Sequence, residues 1–143
     1  MQLSKDFWLF EWQCRDGTHV PPRLVPTVQR HVHGQIQPLR DFLGRPLKVT
    51  CGYRSPEYNE ELRRRAIAAG RKPGAAKESQ HMLGTAVDIR ARGMDVLELR
   101  DVVYRLIRDG KIMDGGVGWY PPTATRFGWV HIDIGRVGRR WKG

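Results

Sequence analysis

Little in this chain favours covalent cross-linking or a membrane-borne fold. There are only two cysteines, Cys14 and Cys51. Two are too few for a disulfide scaffold and their spacing matches no metal-binding CxxC pair, so buried free thiols are expected. No apolar run approaches the length of a membrane span. The start, Met1 to Phe7, lacks a basic segment followed by an apolar one, so no signal peptide is expected. Internal repeats and low-complexity segments are also missing. Acidic residues are scarce: 15 Asp and Glu face 25 Lys and Arg, for a formal charge of +10.

What is present fits a folded protein. Hydrophobic residues make up 40% and charged residues 28%, which excludes intrinsic disorder. The 143 residues suffice for one domain, 1–143, with its own core. The positive charge attracts polyanions, either nucleic acid or an anionic cell envelope. Arg63, Arg64 and Arg65 read as a solvated face. Arg136, Arg139, Arg140 and Lys142 read as a basic tail over 136–143.

Residues 1–21 read as irregular, with Phe7, Trp8, Phe10 and Trp12 forming an aromatic lid on the core. From Pro22 to Leu43, apolar residues at Leu24, Val28, Val32, Ile36, Leu39 and Leu43 describe one helical face, which Pro38 should kink. His31 and His33 lie two apart and face different ways, so both read as packing or surface residues. Leu47–Cys51 is strand-like. Ser55 and Pro56 then open a helix running to about Ala69. Arg54 sits at that strand-to-helix junction, free to fork onto a carboxylate or to pair with Glu57. A Gly- and Ala-rich loop, 70–77, follows. Asp95 caps a third helix with a stripe of Val96, Leu99, Val103, Leu106 and Ile107, stopped by Gly110. Val117–Tyr120 reads as a strand whose glycine permits close approach. In 127–134, Trp129, His131 and Asp133 share one strand face and Val130, Ile132 and Ile134 the other. The fold class expected is α+β, with helices packed on a small, mainly antiparallel sheet.

The chemistry centres on Ser79–Asp88. A loop carrying His81 leads into a strand, Thr85–Ile89, on which Ala86 and Asp88 face the same way. Gly84 lets the chain turn so that His81 faces Asp88. This pair is either half of a zinc site or a surface histidine beside a turn-capping aspartate. His131 supplies a third ligand. Two imidazoles, one carboxylate and an open position form the pattern of a catalytic zinc site. Asp133 either takes the proton of the metal-bound water or orients a ligand, and the base role is favoured.

Gly52-Tyr53-Arg54-Ser55, Ser79-x-His81-x-x-Gly84-x-Ala86-x-Asp88 and Trp129-Val130-His131-Ile132-Asp133 together resemble the M15 peptidases. These are D-alanyl-D-alanine carboxypeptidases and related cell-wall endopeptidases that share a metal site with the hedgehog signalling domain. The likeness is greatest to the compact type found in bacteria and phage. An opening such as Leu3-Ser4-x-x-Phe7 and a segment such as Gly115-Gly116-Val117-Gly118-Trp119-Tyr120 also occur there. The resemblance implies one Zn2+ held by His81, Asp88 and His131. It places Arg54 on a carboxylate or carbonyl of a peptidoglycan stem peptide, and Ser79 on substrate or the first ligand. Trp119 and Tyr120 are further expected substrate contacts. Many members carry an acid three residues before the last histidine. Here that position is Gly128, which shifts the base role to Asp133. The implied activity is zinc-dependent hydrolysis of stem peptides, with anionic wall polymers as a second partner, no nucleic acid and a monomeric state. Without a signal peptide, such a protein would reach the wall by lysis, with a phage or by another route. A zinc-stabilised module without catalysis, or a nucleic-acid-binding protein, are the alternatives.

Overall fold

The computed structural model describes residues 1–143. The N-terminal segment is more regular than its composition suggests. Strands β1 (Gln2–Ser4) and β2 (Phe7–Trp8) form an antiparallel hairpin, followed by a 3-10 turn at Leu9–Trp12. Of its aromatics, Phe7 and Trp12 are buried edge-to-face, whereas Trp8 and Phe10 are exposed. The lid is therefore half of what was expected.

The stripe Leu24, Val28, Val32, Ile36 and Leu39 is buried as its spacing predicts. The helix carrying it is not uniform. A 3-10 turn at Pro22–Leu24 leads into α1 (Val25–His31), a π-helical segment (Val32–Ile36) and α2 (Gln37–Leu43). Pro38 accounts for the change. It has no N–H to offer the Gly34 carbonyl four residues back, and its ring crowds that carbonyl. The ladder widens locally, and the freed Gly34 carbonyl accepts the Met113 N–H at 2.9 Å. Within the same wide turn, Gln35 is fully buried. Its amide donates to the carbonyls of Met113 (2.8 Å) and Asp133 (3.1 Å), and its oxygen takes the His31 ring N–H at 2.8 Å. The kink thus pins the turn before one strand and the end of another. Burial pushes His31 down to about 4, so its ring is neutral. Replacing Gln35 with leucine strands two buried carbonyls and is expected to remove roughly 3 kcal/mol of stability, read as a lowered urea midpoint.

The remaining elements are β3 (Leu47–Cys51), α3 (Pro56–Ala68), β4 (Ala86–Ala91), α4 (Val96–Arg108), β5 (Val117–Tyr120), β6 (Trp129–Asp133) and β7 (Arg140–Lys142). Ser55 caps α3 by accepting the Tyr58 N–H at 3.1 Å, and Asp95 caps α4 by accepting the Glu98 N–H at 2.8 Å. The sheet runs β3-β4-β6-β5-β7 and is antiparallel except for the β5–β7 pair. The α+β class is as expected. The basic tail is not a tail: Arg140–Lys142 form an edge strand parallel to β5, with Arg140 paired to Asp114 at 3.0 Å.

Strand alternation divides the sheet. Val87, Ile89, Val117, Val130 and Ile132 enter one continuous core with Leu99, Val103 and Leu106 of α4 and the stripe of α1–α2. Each large aliphatic side chain so buried contributes about 1.5–3 kcal/mol. On the other face, the register aligns one residue per strand in a row: Cys51, Asp88, His131, Gly118 and Trp141. A bulge in β3 between Val49 and Cys51 shifts its register and brings Cys51 opposite Asp88.

Candidate metal centre

That row is the floor of the site, and His81 is lowered onto it from outside the sheet. The residues before Asp88 are not loop, as their composition suggests, but a 3-10 turn, Gln80–Leu83. Ser79 caps it by accepting the His81 N–H at 3.2 Å, and Gly84 ends it in the left-handed region. The 52–54 segment clamps the turn: the Arg54 N–H bonds the His81 carbonyl at 3.1 Å. His81, Asp88 and His131 are all buried.

Hydrogen bonding dictates the state of both rings. Nδ1 of His81 lies 2.8 Å from the Gly52 carbonyl, which can only accept, so Nδ1 carries the proton. Nε2 then faces Oδ1 of Asp88 at 3.3 Å. His131 mirrors this. Its Nε2 lies 2.9 Å from Oδ2 of Asp133 and donates to it, while Nδ1 faces the same Asp88 Oδ1 at 3.1 Å. Two ring lone pairs and a carboxylate oxygen therefore converge, three acceptors with no donor among them. Such an arrangement requires a positive centre. Ligands at about 2.0–2.1 Å from a tetrahedral zinc stand roughly 3.3 Å apart, close to the separations seen here.

Without a metal, a proton fills the role. Burial opposes a charged His81, but Asp88 and the Cys51 thiol outweigh it and push the ring up to about 10. Burial likewise opposes an ionised Asp88, but His81 and His131 hold it well below the usual carboxylate range. Asp133 is held down to about 2 against its own burial by His131 and by the backbone N–H groups of Gly116 and Arg136. The signs give a testable profile for the metal-free protein. Stability from Asp133 is present above its ordinary 3.8 and lost as pH falls through about 2. Stability from His81 is present below its ordinary 6.5 and lost as pH rises through about 10. Urea midpoints should therefore fall on both sides of about pH 4–6.5, with about 2 kcal/mol of the acid limb removed in Asp133→Asn.

Asp133 is not placed as a general base. It is fully buried. Its Oδ1 accepts N–H bonds from Gly116 (3.0 Å), Gly135 (3.0 Å) and Arg136 (2.8 Å), and its Oδ2 is taken by His131. Of the two roles open to it, orienting a ligand is the one this geometry allows. Nor does the Gly128 position await an acid. A Cβ there would meet the Tyr120 carbonyl oxygen and a Val96 methyl at 2.5 Å, on the core side of β6. Gly128→Glu is expected to destabilise the fold by several kcal/mol without raising any activity, checked by melting and turnover in parallel.

The other expected residues divide. Arg54 lines the groove beside Asp88 without a carboxylate partner, held by Asn59 Oδ1 (3.2 Å) and Cys51 Sγ (3.5 Å) rather than by Glu57. Ser79 holds the first histidine. Tyr120 lines the groove, stacked on Trp129 at 4.7 Å. Trp119 does not: it pairs with Val130 and so points to the opposite face, where Arg100 and Lys142 cover its ring. Two residues escaped the sequence reading. Cys51, a free thiol, gathers with His81 and Asp88 within 4.8 Å, and its Sγ lies 3.7 Å from His81 Nδ1. Burial raises this thiol, but His81 outweighs burial and leaves it below its ordinary value. Trp141 lies over Gly118, where any side chain would collide with its ring. It packs on His131 at 5.1 Å and donates to the Tyr120 hydroxyl at 3.0 Å.

Two clusters thus share His81 and Asp88, one completed by Cys51 and one by His131. Cys51 approaches the Nδ1 edge already committed to Gly52, whereas His131 meets the same carboxylate oxygen as the His81 lone pair. The second is the coherent set: two ring nitrogens and one carboxylate oxygen that could hold a single metal ion at the bottom of an open groove. The family follows from comparison with known proteins. A model of M15 peptidases described as peptidoglycan L,D-endopeptidase MepK matches residues 18–141, and the chain belongs to this family. A probable peptidoglycan L,D-endopeptidase MepK of Haemophilus influenzae is 35% identical over 97 residues, 68% of this chain and 43% of its own length. The peptidoglycan L,D-endopeptidase MepK of Escherichia coli is 32% identical over 119 residues, 82% of this chain and 56% of its own. The chain spans about half the length of these curated relatives. A solved structure, the vancomycin-resistance D,D-pentapeptidase VanY in complex with Zn(II), overlays with a TM-score of 0.38 at 23% identity, covering 86% of this chain and 77% of that one. At that score the likeness carries no weight.

Proposed function

We propose that the protein is a zinc-dependent endopeptidase acting on peptide bonds of peptidoglycan. One observation carries this reading: the lone pairs of His81 Nε2 and His131 Nδ1 both face Asp88 Oδ1, while each ring's other nitrogen is anchored. His81, Asp88 and His131 would hold the ion, which polarises a scissile carbonyl and lowers the pKa of bound water. The Gly52 carbonyl and Asp133 fix the tautomers that leave these lone pairs free. Arg54 supplies a planar donor fork beside the centre for a peptide carbonyl or carboxylate. Two hollows, about 490 and 450 Å³, share Arg54, Asp88, Arg126 and Trp129. Asp88 lines both hollows and the two histidines line the second, so the groove extends past the centre on the Asp88 side, which suits cleavage within a chain, as the relatives' names describe. The charge of +10 favours an anionic wall.

A second reading, a metal-stabilised binding module, is favoured by the absence of any carboxylate but Asp88 from the groove lining. The two are separated by mass spectrometry of cross-linked muropeptides before and after incubation. The endopeptidase reading expects split cross-links, lost on chelation and restored by zinc. An unchanged profile with zinc bound supports the module instead.

A further inference from the structure

The groove walls carry guanidinium groups that the rest of the fold leaves unpaired. Five arginines of the fold find acids: Arg40 with Asp6, Arg65 with Glu61, Arg100 with Asp101, Arg108 with Asp109 and Arg140 with Asp114, and of these only Arg65 lines the groove. In the groove, Arg15 and Arg90 on one arm, Arg126 at the centre, and Arg71, Arg136 and Arg139 on the other arm make no ion pair. Three of them lie over aromatic rings: Arg90 on Phe127 at 4.5 Å, Arg126 on Trp129 at 5.2 Å and Arg139 on Trp141 at 5.1 Å. A guanidinium stacked this way is held by its face, and its donor edge stays free. That edge matches a carboxylate with two parallel N–H bonds. The only acid lining either arm is Asp88, where the arms meet.

We propose that this groove selects peptides bearing free carboxylates on both sides of the bond at the metal centre, and discriminates against the same peptides with those carboxylates amidated. A carboxamide keeps the shape but removes the charge and replaces one acceptor oxygen with a donor, which meets a guanidinium donor head-on. The proposal names the substrate class of the endopeptidase reading and rests on it for the source of the peptide. A guanidinium fork takes a phosphate as readily as a carboxylate, so the choice of carboxylate follows from the peptide substrate of the endopeptidase reading, and an oligonucleotide competitor decides between them.

The test measures binding apart from turnover. Soluble cross-linked muropeptides are prepared with all carboxyls free, with those on one side amidated, and with those on the other side amidated. Binding to the intact protein is followed by tryptophan fluorescence at fixed ionic strength. Each amidation is expected to weaken binding about tenfold. The penalty on one side should vanish in Arg15→Gln/Arg90→Gln and that on the other in Arg136→Gln/Arg139→Gln, with melting curves confirming that both variants fold. The proposal is overturned if free and amidated forms bind alike, if the variants weaken both forms equally, or if a single-stranded oligonucleotide binds more tightly than the free-carboxyl peptide. Cleavage of any form is scored separately and bears only on the endopeptidase reading.

Discussion

Replacing His131 with alanine is expected to lower zinc affinity by more than about 100-fold, beyond the range usual for losing a group that merely supports a ligand. It removes the Nδ1 lone pair that faces Asp88 Oδ1 at 3.1 Å and leaves His81 and Asp88 as a pair. Competition against a chelating dye measures this directly, and Cys51→Ser is the matched control. Its Sγ lies at the committed Nδ1 edge of His81, so its loss should change affinity little. If the effects are reversed, Cys51 completes the centre and His131 does not.

Asp133→Asn is expected to weaken zinc binding by about 10–100-fold. Four donors converge on this carboxylate: three backbone N–H groups on Oδ1 and the His131 ring on Oδ2. An asparagine must turn an NH2 towards one set or the other, so it strands buried backbone donors or releases the His131 tautomer. Either outcome lowers affinity as well as activity. A general base would behave differently, since its neutral isostere abolishes turnover while zinc affinity stays as it was. The ratio of the two losses therefore separates the roles, and a pure loss of turnover would restore Asp133 as the base.

Much of this centre was legible because strand alternation is a local property. Trp129, His131 and Asp133 had to share a face, as did Ala86 and Asp88, and Gly84 could only close a turn. The helix stripe from Leu24 to Leu39 and the caps at Ser55 and Asp95 are equally local. The residues that went unread depend on pairing between distant segments. Cys51 reaches the site through a bulge, and a bulge has no periodicity to betray it. Trp141 hid in a stretch whose charges read as a tail, because the parallel partner that makes it a strand lies more than twenty residues earlier. Gln35 looked like an ordinary polar residue until the Pro38 kink aimed it at Met113 and Asp133. Trp119 and Asp133 show the complementary error. Trp119 reads together with its neighbour Tyr120 as a substrate contact, although adjacent strand residues face opposite ways. Asp133 reads as the base that Gly128 lacks, although backbone N–H groups occupy its Oδ1 and the His131 ring its Oδ2.

Zinc K-edge absorption on the stoichiometrically loaded protein tests the central assignment most directly. Binding by His81, Asp88 and His131 predicts a first shell of nitrogen and oxygen alone, at about 2.0–2.1 Å, with multiple scattering from two imidazoles. A sulfur scatterer at about 2.3 Å, or the signature of a single imidazole, would contradict it.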